Sequence, residues 1–189
     1  ANDTLQFRTE FKGGKKGLDF YNLNFYHTIN NENKNVVGFT KSELQFKDYL
    51  WYLNEKDDLK ENKIVFDKKM TNFSFQDLIL SHENQSINFV GLIADKVNKD
   101  LQLSFKDVNL NKVTPDVDKF RFDGILDGKV NFKQTNTVFQ PTSTLQIDSL
   151  SVNGIALGKL NVVRISPHVY TKISDLDKLV ECLSKISKG

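Results

Sequence analysis

Apolar residues recur along this chain at positions i, i+2, i+5 and i+7, and this spacing limits the fold more than any other feature. Steps of two place side chains on one face of a β-strand. The central step of three reverses that parity. Through such a step a strand can keep its apolar side chains on the inward face only if it has a bulge or corner there. The five copies are Leu18/Phe20/Leu23/Phe25, Leu44/Phe46/Tyr49/Trp51, Phe73/Phe75/Leu78/Leu80, Leu103/Phe105/Val108/Leu110 and Leu145/Ile147/Leu150/Val152.

Each parity reversal carries a polar residue, and these residues are Asn22, Asp48, Asp77, Asp107 and Ser149. An aspartate at a bulge can bond local backbone amides, so we assign them a structural role. The pattern predicts one bent strand unit, used at least five times in a long one-sided sheet. A period of about thirty residues is typical of an extended array and not of a compact enzyme. A weaker copy, Phe120/Phe122/Ile125, ends on Asp127.

Composition favours strands and excludes some partners. The 189 residues include 15 Phe and five Tyr, which are enriched in strands. The net charge of +2 comes from 26 basic and 24 acidic residues spread along the chain, so we expect no nucleic-acid partner. Cys182 is the single cysteine, which excludes an internal disulfide. No apolar run approaches a bilayer span and no signal pattern opens the chain, which we take to be a piece of a longer protein.

Alternation and turn residues predict a mainly β fold: a curved, mostly antiparallel sheet that forms an open apolar groove, with one short C-terminal α-helix. The helix follows an abrupt change after Val163, with Ser174 as its N-cap. We therefore place one domain at 1–163 and a second segment at 164–189. The predicted strands are 5–11, 18–29, 36–40, 42–53, 64–67, 72–81, 86–94, 100–110, 119–125, 128–135, 143–152 and 155–163.

Residues that carry chemistry are sparse. The three histidines, His27, His82 and His168, are far apart and show no metal-ligand spacing. The segment 13–17 lies between strand-like sequences, so it reads as a hairpin turn and not as a phosphate loop. The carboxylate pairs Asp57/Asp58 and Asp116/Asp118 lie in polar loops, where acid–base catalysis is not expected. We predict no catalytic residue, no metal and no cofactor.

An apolar sheet face has two interpretations that the residues alone leave open. It is either half of a closed sandwich core or the wall of an open groove that holds acyl chains. In a sandwich, Tyr49, Trp51 and Tyr52 would be an exposed platform that stacks on sugars. In a groove, the expected lining residues are Phe20, Phe25, Phe46, Phe73, Phe75, Leu80, Leu103, Phe105, Leu110, Ile147 and Val152.

Residues 1–163 resemble the TamB family of large β-repeat proteins of bacterial envelopes. The resemblance is carried by the order of several strand-and-turn phrases. These are Asp3-Thr4-Leu5…Phe7-Arg8-Thr9-Glu10-Phe11-Lys12-Gly13-Gly14, Asp19-Phe20-Tyr21-Asn22-Leu23-Asn24, Ser81-His82-Glu83-Asn84-Gln85, Leu103-Ser104-Phe105-Lys106-Asp107-Val108, Asp123-Gly124-Ile125-Leu126-Asp127-Gly128-Lys129-Val130 and Ile155-Ala156-Leu157-Gly158-Lys159-Leu160.

This resemblance implies a long β-groove, apolar inside, in the periplasm and anchored in the inner membrane by other parts of the parent chain. It implies phospholipid acyl chains as cargo, carried between the inner and outer membranes. It also implies a role in outer-membrane protein assembly with a BamA-type barrel as partner. The family has no catalytic residues to transfer.

The last segment resembles a different family. Arg164-Ile165-Ser166-Pro167-His168-Val169-Tyr170 and Asp175-Leu176-Asp177-Lys178-Leu179-Val180 look like the end of a class V aminotransferase or cysteine desulfurase. That resemblance implies pyridoxal phosphate as cofactor and Arg164 as the ligand of a substrate carboxylate. Nothing in 1–163 reads as the cofactor domain, so the segment is fused, misassembled, or a native helix that matches by chance.

Overall fold

A computed structural model describes residues 3–14, 19–46, 49–95, 97–114 and 120–162. These residues form one antiparallel sheet of twelve strands and one short helix, which confirms the predicted fold class. The predicted C-terminal helix, the boundary after Val163 and Arg164 lie outside the described residues. The elements are β1 (Leu5–Gly13), β2 (Asp19–Ile29), β3 (Asn35–Phe39), β4 (Ser42–Phe46), β5 (Tyr49–Leu53), β6 (Lys63–Phe66), β7 (Phe73–His82), β8 (Gln85–Ala94), β9 (Asn98–Asn109), α1 (Leu110–Val113), β10 (Phe122–Thr135), β11 (Val138–Val152) and β12 (Ile155–Val162).

The sheet is a meander from β7 to β12, in which each strand pairs with the next. The first half is more complex, because β2 and β7 each change partner along one edge. β2 pairs with β4 at one end and with β3 at the other, and β7 likewise pairs with β5 and β6. The pairs β4–β5 and β3–β6 therefore lie side by side between β2 and β7.

Buried polar side chains close the gap where the partners change. Ser42, Asn54 and Asn62 are all at most 2% exposed. Asn62 accepts a hydrogen bond from the backbone N–H of Ile79 at 2.7 Å, and Asn54 donates to the carbonyl of Phe39 at 2.7 Å. Buried backbone groups need such partners, so these side chains replace the missing strand pairing.

Three of the predicted parity reversals are β-bulges. The register of β7 shifts between Phe75 and Leu78, and equivalent shifts occur beside Asp107 and Ser149. Asp77, Asp107 and Ser149 have φ values of 42°, 53° and 54°, the left-handed conformation that a bulge residue adopts. Each bulge restores the apolar parity, as the spacing predicts.

Three other copies of the motif have a different origin. The copy at 44–51 is a hairpin in which Phe46 pairs with Tyr49, so the prediction of one strand over 42–53 is wrong. The pairing of Phe46 with Tyr49 in this hairpin gives the same spacing as a bulge. Asp48 lies outside the described residues. The register of β2 is unbroken through Asn22, so the bulge expected there is also wrong. The weak copy ending on Asp127 lies in β10 except for Phe120, and β10 has no extra residue of its own.

The prediction of two strands over 119–135 is wrong, because β10 continues through Gly124 and Gly128. These glycines serve close packing and not turns. A Cβ on Gly128, at φ +124°, would lie 2.0 Å from the carbonyl oxygen of Thr144. The strand β11 likewise passes through Pro141, at a point where it pairs only with β10.

The buried core is small, and its main cluster lies at one end of the sheet. Trp51, Val108, Leu110 and Leu126 form this group, which we call the Trp51 cluster, and Val36 is buried apart from it. In a flat sheet β5 and β9 would be about 14 Å apart, because adjacent strands are spaced at about 4.8 Å. The sheet therefore curves towards α1, as expected from bulges that bend β7, β9 and β11.

Candidate functional site: the apolar face

One face of the sheet is apolar from β1 to β12, and the register proves its continuity. Residues that pair directly in antiparallel strands point to the same face. Phe7 pairs with Phe25, and Phe25 with Phe39. Phe105 pairs with Gly128, and Gly128 with Leu145. The aromatic and large aliphatic residues so placed are Leu5, Phe7, Phe11, Tyr21, Leu23, Phe25, Ile29, Val37, Phe39, Leu44, Phe46, Tyr49, Trp51, Leu53, Ile64, Phe66, Phe73, Phe75, Leu78, Leu80, Ile87, Phe89, Ile93, Leu101, Leu103, Phe105, Val108, Phe122, Leu126, Val130, Phe132, Phe139, Leu145, Ile147, Leu150, Val152, Ile155, Leu160 and Val162.

A compact cover lies over one end of this face, which we call the covered end. The helix α1 is capped by Asn109, whose side chain accepts a hydrogen bond from the N–H of Asn111. Leu110 then packs into the Trp51 cluster, and the ammonium of Lys112 lies 4.9 Å from the ring centroid of Tyr49. The helix α1, together with Tyr49 and Trp51, therefore buries this end of the apolar face, as a second sheet would in a sandwich.

Polar contacts hold this cover to the strands beneath it. The side chain of Gln85 accepts a hydrogen bond from the N–H of Asn109 at 2.8 Å and donates to the hydroxyl of Tyr49. The ring of His82 lies against Tyr49, with 4.0 Å between centroids, and its Nδ1 contacts the carbonyl oxygen of Leu50. His82 is therefore part of this packing.

The other end of the face, which we call the uncovered end, has no such cluster among the described residues. Four phenylalanines from β6, β7 and β8 form a row of ring contacts there. Phe66 stacks on Phe73 at 5.5 Å, Phe73 on Phe75 at 6.3 Å, and Phe75 meets Phe89 edge-on at 5.0 Å. All four rings remain partly exposed. The rings cover one another in part, and the described helix α1 does not lie over them, since it packs at the covered end.

Nine of the eleven predicted groove residues share the apolar face. Leu80, Phe105 and Ile147 pack against the Trp51 cluster, so they lie under the cover. The other two predicted residues lie elsewhere. Phe20 pairs with Gln45 on the opposite face. The strand β2 has no bulge that would turn the side chain of Phe20 to the apolar face. Leu110 belongs to α1 and is buried in the cover. The remaining six are Phe25, Phe46, Phe73, Phe75, Leu103 and Val152.

Several apolar-face residues escaped the sequence analysis. Phe89 and Ile93 lie in β8, and Val130 and Phe132 lie in β10. Both strands alternate without a parity reversal, so a search for the six-residue motif passes over them. The signal that identifies these residues is the simple alternation of apolar and polar residues in the strands between the motif copies.

The opposite face and the turns carry most of the polar groups. On that face Lys159 forms an ion pair with Asp148 at 3.1 Å, and its hydrogen bond lowers the pKa of this exposed carboxyl. In the turn between β6 and β7, the hydroxyl and N–H of Thr71 and the amide of Asn72 hold the pKa of Asp67 well below its usual range. Burial raises the pKa of Tyr26, whose ring covers Gly38. None of these groups is placed for catalysis on the apolar face.

The structure also bears on the alternative sites considered from the sequence. The sugar-stacking platform is wrong, because Trp51 is 2% exposed and lies on the opposite face from Tyr52. A sandwich needs two packed sheets, and the described strands form one. Within the described ranges, no group of three or more His, Cys, Asp or Glu side chains could hold a metal ion. Asp57 accepts a hydrogen bond from the N–H of Lys41 at 2.9 Å, a structural role.

No protein family, curated protein or solved structure matched this chain in the comparisons. Among the described residues, no helix is long and apolar enough to cross a membrane. The resemblances to TamB and to class V aminotransferases therefore remain predictions, and Arg164 lies outside the described residues.

Proposed function

We propose that the apolar face is a groove that binds lipid acyl chains, and that the protein carries lipid without catalysing a reaction. One observation carries the proposal: the apolar face extends from edge strand to edge strand, but its cover is confined to one end. At the uncovered end the row Phe66, Phe73, Phe75 and Phe89 presents partly exposed rings. A contiguous apolar surface of this kind marks a binding site for another apolar surface.

The mechanism we propose is passive. Moving an acyl chain from water onto an apolar surface stabilises it by about 0.8 kcal/mol for each methylene buried. Because Phe75, Phe89 and Leu103 adjoin one another on this face, a chain can shift along them without returning to water. The polar headgroup stays at the groove mouth, where it keeps its hydration.

The resemblance to TamB supplies the cellular setting of the proposal. By that resemblance the groove lies in the periplasm and passes phospholipid between inner and outer membranes. A BamA-type barrel is the corresponding protein partner, and outer-membrane protein assembly is the corresponding process. Membrane attachment belongs to other parts of the parent chain in this proposal.

The decisive experiment measures bound lipid on the 189-residue chain. We would purify the protein without detergent, incubate it with phospholipid vesicles, reisolate it, and quantify extracted lipid by mass spectrometry. We expect stoichiometric phospholipid on the unmodified protein. The Phe75→Asp variant should lose most of it, because a carboxylate in the phenylalanine row must be desolvated by an acyl chain.

A matched variant separates loss of the groove from a general effect of added charge. Val138 lies at the same end of the sheet, on the opposite face, and is 56% exposed. Val138→Asp should therefore bind lipid as the unmodified protein does. Lipid-free unmodified protein, or equal lipid on the Phe75→Asp variant, would contradict the proposed function.

A further inference from the structure

One cationic side chain stands on the apolar face. Lys99 pairs directly with Ile93 on β8 and with Gln134 on β10, so it shares their face. It is the only lysine or arginine that the described strands place there. Lys99 lies at the uncovered end, two residues before Leu101, and is partly buried. A charge at such a position is costly unless a partner of opposite charge is present.

Its neighbour Gln134 adds a second, independent sign of a ligand. Gln134 is 9% exposed, and its amide donates to the carbonyl oxygen of Asn136 at 2.7 Å. Its Oε1 atom is buried and has no hydrogen-bond partner among the described residues. Buried polar atoms are nearly always paired, so this oxygen needs a hydrogen-bond donor that the described residues do not supply.

A cavity of about 290 Å³ at this end of the sheet lies mostly on the opposite face, because Leu92, Asp100 and Lys133 line it and pair with one another there. On the apolar face itself, Lys99 and Gln134 supply a cation and an unpaired acceptor next to the apolar surface of Leu101. These are the features that an anionic amphiphile requires.

The distance to the cover fits one acyl chain. Lys99 and Phe105 are six residues apart in β9, which corresponds to about 20 Å at the rise of an extended strand. One leaflet of a bilayer's hydrocarbon core is about 15 Å thick, half of about 30 Å. A chain that starts beside Lys99 thus ends near Leu103, about 5 Å before Phe105 and short of the Trp51 cluster.

We propose that Lys99 and Gln134 form the headgroup site of the groove, with a phospholipid as occupant. The ammonium of Lys99 binds the phosphate, the Oε1 atom of Gln134 accepts from a headgroup hydroxyl, and the acyl chain runs along β9 towards the Trp51 cluster. Lysine is a common phosphate ligand, and a charge-assisted hydrogen bond is stronger beside apolar surface than in water. This inference rests on the proposed function, and it adds the headgroup class and the orientation of the lipid.

The test compares two lipids with the same acyl chains. The 189-residue protein is incubated with vesicles that contain equal amounts of phosphatidylglycerol and diacylglycerol, and the bound ratio is measured after reisolation. We expect at least a fivefold preference for phosphatidylglycerol. The preference should vanish in Lys99→Gln while total lipid stays the same, and it should persist in Lys99→Arg, which keeps the charge.

Lys106 provides the matched control, since it lies in the same strand, pairs with Ser86 on the opposite face and is exposed. Lys106→Gln should keep the preference. Bound lipid without a preference would overturn the headgroup site and leave the groove intact, whereas no bound lipid would overturn the groove itself. A preference that survives Lys99→Gln would overturn the assignment of Lys99. Loss of the preference in millimolar inorganic phosphate would show that the site binds free phosphate instead.

A photolabel tests the orientation without any substitution. Phosphatidylglycerol with a diazirine at the terminal acyl carbon should crosslink to the covered end, in peptides that contain Phe105 or Leu126. Crosslinks confined to the phenylalanine row, with none near Phe105, would overturn the proposed direction of the chain.

Discussion

The two ends of the apolar face have the same amino-acid pattern and different surroundings. At the covered end, Val108 is fully buried and Trp51 is 2% exposed. At the uncovered end, Phe73 and Phe75 belong to equally regular strands, yet their rings stay partly exposed. The difference comes from α1 and from the polar contacts of Gln85 with Tyr49 and Asn109. An alternating pattern thus defines which face is apolar, whereas a few side chains outside the pattern decide whether that face becomes core.

This comparison also separates stability from binding. Residues under the cover exchange water for protein contacts on folding, so they contribute most of the hydrophobic stabilisation. Residues at the uncovered end gain only part of that energy on folding and can gain the rest on binding a ligand. The same kind of side chain therefore serves the fold at one end and, in our proposal, the cargo at the other.

The largest expected effect is the loss of stability when one large side chain at each end is replaced by alanine. Trp51→Ala should destabilise the protein by about 3 to 5 kcal/mol, because it empties the centre of the cover. Phe73→Ala should cost about 1 to 2 kcal/mol, since its ring is only partly buried. Urea unfolding followed by circular dichroism measures both. Equal losses for the two variants would mean that the ends are equally packed and would break the comparison.

A smaller effect is expected at Gly128, where β9, β10 and β11 approach closely beneath the bend. Gly128→Ala should destabilise by about 2 to 3 kcal/mol, because the new Cβ meets backbone at a strained positive φ. Gly154→Ala is the control: its φ is +80° and no atom lies within 4 Å. It should cost about 1 kcal/mol for the left-handed backbone alone. A cost at Gly128 no greater than at Gly154 would refute the close approach.

The smallest effect concerns pH at the uncovered end. Asp67 accepts hydrogen bonds from Thr71 and Asn72, and these lower its pKa from the ordinary value of 3.8. Because the folded pKa lies below the unfolded one, its contribution to stability is complete above pH of about 4 and is lost as the pH falls further. Asp67→Asn should remove that part of the acid dependence between about pH 4 and pH 2. Thermal unfolding across this pH window measures the change. An unchanged slope of melting temperature against pH would show that the hydrogen bonds of Asp67 add nothing to stability.

Much of the sheet was predictable from local chemistry. The bulges at Asp77, Asp107 and Ser149 follow from parity, because only an extra residue keeps the apolar side chains on one face. The hairpin turn at Asn153-Gly154 follows from the left-handed conformations that these residues tolerate, and both have positive φ. The apolar character of the face also follows from alternation.

The rest depends on contacts between residues distant in sequence. The spacing at Leu44 to Trp51 is the same for a hairpin as for a bulge, so the motif cannot distinguish them. Gly124 and Gly128 resemble turn residues until the approach of β11 is known. The burial of Trp51 depends on α1, which starts about sixty residues later and is too short to show helical periodicity. The position of Lys99 on the apolar face is known only from its pairing with Ile93 and Gln134.

The measurement that tests the central claim most directly is the position of an acyl chain on the folded protein. A fatty acid with a nitroxide on its chain broadens nuclear magnetic resonance signals of nearby residues. We predict broadening of Phe73, Phe75 and Phe89 at stoichiometric ligand, with Leu92 and Val138 on the opposite face unaffected. Broadening spread evenly over both faces, or none at all, would contradict the account of an accessible groove on the apolar face.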